Sequence, residues 1–222
     1  MRDVIRQFEE RKEEIESYFQ LLESFMIHNA QIILPDGKKH KIDIELAHIL
    51  RANAFLLLYN LAESCISQGI EAIYIDIKSK QHDYNNINSN IQKELIKHIK
   101  NKVSPEAFTS NANNIAIDIL SHYPSSRELF SGNLDAERIK KIANKYGFSY
   151  KTDARTTRDG KKLETIRQKR NHLAHGFISF RECGKDYSIQ DMITMKEETL
   201  EYLEQILKNI ESFVMQEEYK TL

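Results

Sequence analysis

Apolar residues recur at helical spacing along most of this chain. Val4, Phe8, Ile15, Phe19, Leu22 and Met26 fall three to four residues apart, or at multiples of that step, among Glu and Lys. This pattern predicts a first, partly exposed helix over about residues 3–27. Next, Gln31-Ile32-Ile33-Leu34 and His40-Lys41-Ile42-Asp43-Ile44 flank Pro35-Asp36-Gly37. The turn residues predict a short β-hairpin, by default a connector, with a lid or a dimer contact as alternatives. From Glu45 to about Lys78 there is no proline and a single glycine, Gly69, in a segment dense in Leu, Ala and Ile. One long helix or a kinked pair follows, as the central member of the core. Asn53, Asn60 and Glu63 recur near its stripe of Leu46, Leu50 and Leu57, where polar groups need partners.

Residues 81–89 are polar and Asn-rich, hence a loop, and Ile91, Leu95, Ile96 and Ile99 predict a helix after it. Residues 104–133 mix short helical patterns with Pro124-Ser125-Ser126 and Gly132-Asn133, and His98 and His122 read as surface or packing histidines. A helix starting at Asp135, with Ile139, Ile142 and Ala143 inward, ends before Gly147. Lys151 to Gly160 lacks apolar periodicity and reads as a mobile basic loop. Leu163, Ile166, Leu173 and Ala174 share one face, predicting a helix from about Lys161 with Gly176 as its stop. Phe177-Ile178-Ser179-Phe180 and Asp186-Tyr187-Ser188-Ile189 suggest a second hairpin. A closing helix from about Asp191 to Gln216 carries Leu200, Leu203, Leu207, Ile210 and Val214.

With 222 residues, 41% hydrophobic, the chain can bury one sizeable core, and three prolines with seven glycines favour a mainly α protein. Cys65 and Cys183 belong to no CxxC pair and read as buried or incidental thiols, which fits a reducing cytoplasm. Met1-Arg2-Asp3-Val4 runs straight into a charged amphipathic pattern, and no long uninterrupted apolar run is evident, so neither secretion nor membrane spanning is expected. The formal charge of −1 hides an asymmetry. Between Arg138 and Arg170 stand twelve Lys or Arg against Asp153, Asp159 and Glu164, a net +9 that leaves −10 elsewhere. Such a stretch suits a phosphate-binding rim; alternatively Lys140, Lys141, Lys161 and Lys162 form ordinary solvated faces.

That basic stretch ends at Arg170-Asn171-His172-Leu173-Ala174-His175-Gly176, the most informative seven residues of the chain. At about 100° per residue, Arg170 falls in the centre of the apolar face, while Asn171 and His175 share the neighbouring stripe one turn apart. A guanidinium so placed needs an acidic partner, a wet cavity or an anionic ligand. Arg170 and His175 lie about 140° apart on an ideal helix, so one helix does not aim both at one small target. Two copies related by a twofold axis could.

The motif, Arg170, four residues, then His175, with Asn171 directly after the arginine, resembles the signature of the HEPN superfamily. The run from Glu164 to Gly176, with Asn60-Leu61-Ala62-Glu63-Ser64 on an earlier helix, looks most like the bacterial MAE-type branch of defence and toxin loci. The resemblance covers about residues 45–215 and implies a HEPN-type helical bundle at 45–222, with residues 1–44 as a helix-and-hairpin elaboration and one compact domain overall as the expectation. It further implies a homodimer whose motif helices meet, so that one protomer's Arg170 and the other's His175 share an RNA phosphate. Asn171 would orient the imidazole or donate to a phosphate oxygen, Asn60 and Glu63 would support the motif helix, and His172 is a weaker candidate. Lys161, Lys162, Arg167, Lys169, Arg158 and Arg155 are the expected RNA contacts. An antitoxin or other inhibitory partner is expected of a toxic nuclease; no cofactor, metal or membrane is.

These residue types suit the chemistry. RNA carries its own nucleophile: removal of the 2′-OH proton lets that oxygen attack the adjacent phosphorus and expel the 5′-oxygen, leaving a 2′,3′-cyclic phosphate and a 5′-hydroxyl. A histidine can take and return the protons, and an arginine presents a charged fork to the phosphate oxygens. Competing readings are a helix C-cap for His175, a buried ion pair with Glu63 for Arg170, a His172/His175 zinc site, a HEPN module that binds RNA, nucleotide or protein without cleavage, and a structural helical adaptor.

Overall fold

Helix α1 (Arg2–Met26) turns Val4, Phe8, Ile15, Phe19 and Leu22 into the core, the residues its spacing selects. The computed structural model describes residues 1–102 and 133–221, so the patterns read in 104–132, with His122, lie outside the described residues. A tight antiparallel hairpin follows, β1 (Ile32–Ile33) against β2 (Lys39–His40), with Ile32 opposite His40. Gly37, at φ +78°, supplies the left-handed turn residue that a side chain would strain.

Helix α2 (Ile44–Ser79) is a single element rather than a kinked pair. Asp43 opens it, its carboxylate accepting the Leu46 N–H at 2.8 Å. Buried residues surround much of its circumference, from Ala52 through Phe55, Leu58 and Ile66 to Ile77. Such an all-round apolar helix must be enclosed on several sides, and among the described residues the first helix, the motif helix and the two helices after it pack against it. By length and composition α2 could also cross a membrane, an 18-residue window having mean hydropathy 1.2, yet it serves as the hub of this bundle.

Helices α3 (Ser89–Lys102) and α4 (Ala136–Tyr146) pack together at one end. Asp135 caps α4 through the Arg138 N–H, and Gly147 ends it at φ +100°. The Tyr146 hydroxyl meets that of Tyr74 on α2 at 2.8 Å, and burial pushes both phenols well above their ordinary range.

Two sequence expectations are corrected by the structure. Residues 151–160 are not an open loop: they form helix α5 (Ala154–Thr157) and a 3-10 turn at Arg158–Gly160, lying against the closing helix. Hydrogen bonds to the closing helix and within the segment hold it. Gln205 Oε1 accepts the Asp153 N–H at 2.7 Å, Asn209 donates to the Lys151 carbonyl at 2.9 Å, and buried Thr157 donates to the Asp153 carbonyl at 2.9 Å. The second correction concerns residues 177–189, which hold no hairpin. After the motif helix α6 (Lys162–Ala174), they form helix α7 (Phe180–Lys185) and the start of α8 (Ile189–Met215). The reason is local hydrogen bonding: Ser179 with Glu182, and Ser188 with Asp191, each make a reciprocal capping box that satisfies free helix N–H groups.

Close approaches fix how these helices cross. At Gly69 an added Cβ would stand 2.8 Å from Ile210 Cδ1 of α8. At Gly184 of α7 it would fall on the backbone carbonyl of His48, so α7 lies directly on the first turns of α2. Cys183 next to it is buried, as is Cys65, whose thiol burial pushes upward.

Candidate active site

The motif helix begins where the 3-10 turn ends, and Leu163, Ile166 and Leu173 anchor it in the core. This face brings Arg170 against α2. Its guanidinium carbon stands 4.4 Å from the centre of the Tyr59 ring, a cation–π contact. Nη1 donates to Asn171 Oδ1 at 2.9 Å, and Nη2 lies 4.0 Å from Glu63 Oε2. The Tyr59 hydroxyl is fixed in turn, accepting the Leu134 N–H at 3.1 Å and reaching Glu63 Oε1 at 3.4 Å. About a quarter of the Arg170 side chain remains exposed. It is therefore partly desolvated and held in place by an aromatic face and a carboxylate at the limit of ion pairing, so it keeps charge available for an anion.

His175 caps α6 and is exposed; its backbone N–H donates to the Asn171 carbonyl at 3.0 Å. Gly176, at φ +68°, reverses the chain. The imidazole of His175 lies 5.6 Å, centre to centre, from the Phe177 ring, and that of His172 lies 6.1 Å from it. Asn171 makes no hydrogen bond to the His175 imidazole among the described residues. Its oxygen accepts from Arg170 Nη1 at 2.9 Å, and its amide donates to Asn133 Oδ1 at 3.2 Å.

Of the two supporting residues on α2, Glu63 reaches the motif helix. Asn60 is exposed and lines a hollow of about 710 Å³ beside α1, with Arg11, Glu14, Ser64, Gln68 and Glu63 also on its wall. Among the described residues no group of three or more His, Cys, Asp or Glu side chains is placed to hold a metal, so His172 and His175 have no third ligand there.

The basic stretch is divided by its partners. Arg167 Nε lies 3.0 Å from Asp135 Oδ2, but misaligned, so this is an ion pair without a hydrogen bond. Arg155 grips Asp153 with both arms and pulls that carboxyl down to about 2. Arg158 approaches Glu198 at 3.9 Å, and Lys169 approaches Asp186 at 3.7 Å while lying over Tyr187. Lys145 pairs with Glu94. In contrast, Lys161 and Lys162 have no ion pair among the described residues; Lys161 opens on a hollow of about 660 Å³ shared with Lys140 and Lys151, and with Asp135, Glu137 and Asp159. An acid within ion-pair distance competes with phosphate for its cation, closely at Arg155 and Arg167 and loosely at Arg158 and Lys169, so Lys161 and Lys162 stand out from the six expected contacts. Replacing both by alanine is expected to reduce the slope of log affinity against log salt by about 1.4 for single-stranded RNA, two phosphate contacts' worth. Arg167→Ala should leave that slope unchanged and lower thermal stability; filter binding over a salt series checks both.

Sequence reading missed Tyr59, Asn133 and Asp135. For Tyr59 a signal was present, since it sits one helical turn before Glu63 and so shares its stripe. Nothing local marks Asn133 or Asp135 as neighbours of α6.

A helical bundle with its Arg and His on one short helix end, backed by an aromatic and a carboxylate from the central helix, defines the class. A comparison with protein families matches the HEPN_MAE_28990-like HEPN family over residues 2–219, and the chain belongs to that family. The match takes in α1 and the hairpin, which extends the likeness past the 45–215 read from the motif. HEPN domains are often ribonucleases, and others are nucleotide-binding modules. No curated protein and no solved structure matched the chain.

Proposed function

We propose that the protein is a metal-independent endoribonuclease, a toxin or defence effector, that acts as a homodimer through the motif helix. The observation that carries this reading is the held but incompletely neutralised Arg170 on the same short helix as His175, whose exposed imidazole makes no side-chain hydrogen bond among the described residues. His175 of one copy accepts the 2′-OH proton; the 2′-oxygen bonds to phosphorus as the bond from phosphorus to the 5′-oxygen breaks; and the imidazolium so formed returns its proton to that leaving oxygen. Arg170 of the other copy meets the charge that develops on the phosphate oxygens. Lys161 and Lys162 hold flanking phosphates.

Mixing tests the shared site. Arg170→Gln and His175→Ala proteins, each inactive alone, are unfolded together and refolded in equal amounts. Half the dimers are then mixed and each has one complete site, so about a quarter of wild-type cleavage is expected. No recovery, with mixed dimers demonstrated by mass, overturns the shared site. The grip of Glu63 and Asn171 on Arg170 favours a second reading, a non-catalytic module whose pocket binds RNA, nucleotide or a partner; retained RNA binding with no cleavage by the wild-type protein would select it.

A further inference from the structure

The chain end of α6 is closed by two bonds: the Gly176 N–H donates to the Leu173 carbonyl at 3.2 Å, and the Phe177 N–H donates to the His172 carbonyl at 2.9 Å. This is the Schellman ending, which places the residue after the glycine over the one at the start of the last turn, normally as a hydrophobic contact. Here those residues are Phe177 and His172, whose rings meet edge-on. His175 stands on the same Phe177 ring at an interplanar angle of 33°. The backbone bonds thus fix where Phe177 leaves the chain, and its ring meets both imidazoles, yet 73% of Phe177 is exposed. The other large apolar side chains that are exposed among the described residues are all Leu, Ile or Met. Aliphatic exposure of that kind is ordinary. An aromatic ring held open to solvent beside the motif histidine is not accounted for by packing, which would have covered it.

We infer that Phe177 is a base-stacking residue that seats the nucleobase flanking the bond to be cut. The inference rests on the reading of this site as one that takes single-stranded RNA. Unpaired bases stack on Phe and His rings with little regard to sequence, because every base has a π-face. Phe177 extends the imidazole surface into such a platform, and the backbone bonds of Gly176 and Phe177 keep the platform in register with His175. A base seated there sets where along the strand the 2′-OH meets the imidazole. Phe177 is a positioning residue, and its contact is made equally before and during the reaction.

The test compares wild type with Phe177→Ala, Phe177→Trp and Phe177→Leu on a single-stranded RNA that the wild type cuts at one site. Phe177→Ala is expected to raise KM roughly tenfold to a hundredfold, the range for one lost base stack, with kcat little changed because stacking is uniform binding. Phe177→Trp should restore KM, and Phe177→Leu, similar in apolar character but without a π-face, should not. An abasic nucleotide placed in turn on each side of the cut should, at one position, weaken wild type to the level of Phe177→Ala and leave that variant unaffected. Wild-type KM in Phe177→Ala or in Phe177→Leu overturns the inference, as does a loss of dimer by Phe177→Ala in sedimentation, which would make the ring part of the seam. If wild type cuts nothing, the ribonuclease reading fails instead, and binding of a short single-stranded RNA carrying an abasic nucleotide at each position in turn, compared between wild type and Phe177→Ala, still decides the stacking.

Discussion

His175→Ala is expected to lower RNA cleavage by a factor of about 10²–10⁴, the usual contribution of a positioned general acid or base. The melting temperature should stay close to that of wild type. The imidazole is exposed and makes no side-chain hydrogen bond among the described residues; its ring contact is with Phe177, itself exposed. The part of residue 175 that closes the helix is its backbone N–H, which alanine keeps. Stability and activity therefore separate at this position, whereas at Arg170 they do not: removing that side chain strips the cation from Tyr59 and leaves Glu63 without its neighbour. Single-turnover cleavage of a labelled RNA, followed by analysis of the fragment ends, reads the first quantity, and a thermal melt reads the second. Cleavage by His175→Ala at the wild-type rate, with 2′,3′-cyclic phosphate ends from both proteins, would remove the imidazole from the mechanism.

The second large effect is on stability. Gly184→Ala would drive a methyl group into the His48 carbonyl, and that atom belongs to the backbone of α2, which cannot swing aside as a side chain can. Overpacking of this kind costs about 3 kcal/mol or more. For a domain of this size that is a fall in melting temperature of roughly 10 °C. Gly69→Ala is the control: there the obstacle is the end of the Ile210 side chain, which has other rotamers, so the loss should be clearly smaller. Calorimetry or circular dichroism on the three proteins checks the order, and equal melting temperatures for Gly184→Ala and wild type would mean that α7 does not rest on α2 in solution.

Much of the candidate site was legible before any coordinates. The spacing of Leu163, Ile166 and Leu173 located the helix, Gly176 marked its end, and the position of Arg170 on the apolar face required a partner that proved to be Glu63 with Tyr59. Other features were written in the chain but outweighed in reading. Ser179-x-x-Glu182 and Ser188-x-x-Asp191 are capping boxes, yet the alternation of Phe177, Ile178, Ser179 and Phe180 suggested strands. Short apolar runs do not distinguish the two periods, and capping side chains do. Asp153, likewise, accepts the Arg155 N–H at 3.0 Å and opens α5 where composition alone suggested a loop.

What the sequence determined by itself was local. Apolar periodicity fixes which face of each helix turns inward, and Asp, Ser and Gly at the ends fix where helices begin and stop, because these depend on groups within a few residues of one another. The tertiary structure decided which charges survive. Arg158, Arg167 and Lys169 are equivalent to Lys161 and Lys162 in composition, but the crossing of the helices brings Glu198, Asp135 and Asp186 within ion-pair distance of the first three, whereas Lys161 and Lys162 have no ion pair among the described residues; Arg155 takes its acid locally, from Asp153 two residues away. The same crossing sets Arg170 on Tyr59 and leaves Phe177 uncovered beside His175. Those outcomes depend on distances between segments far apart in the chain, and no periodicity encodes them.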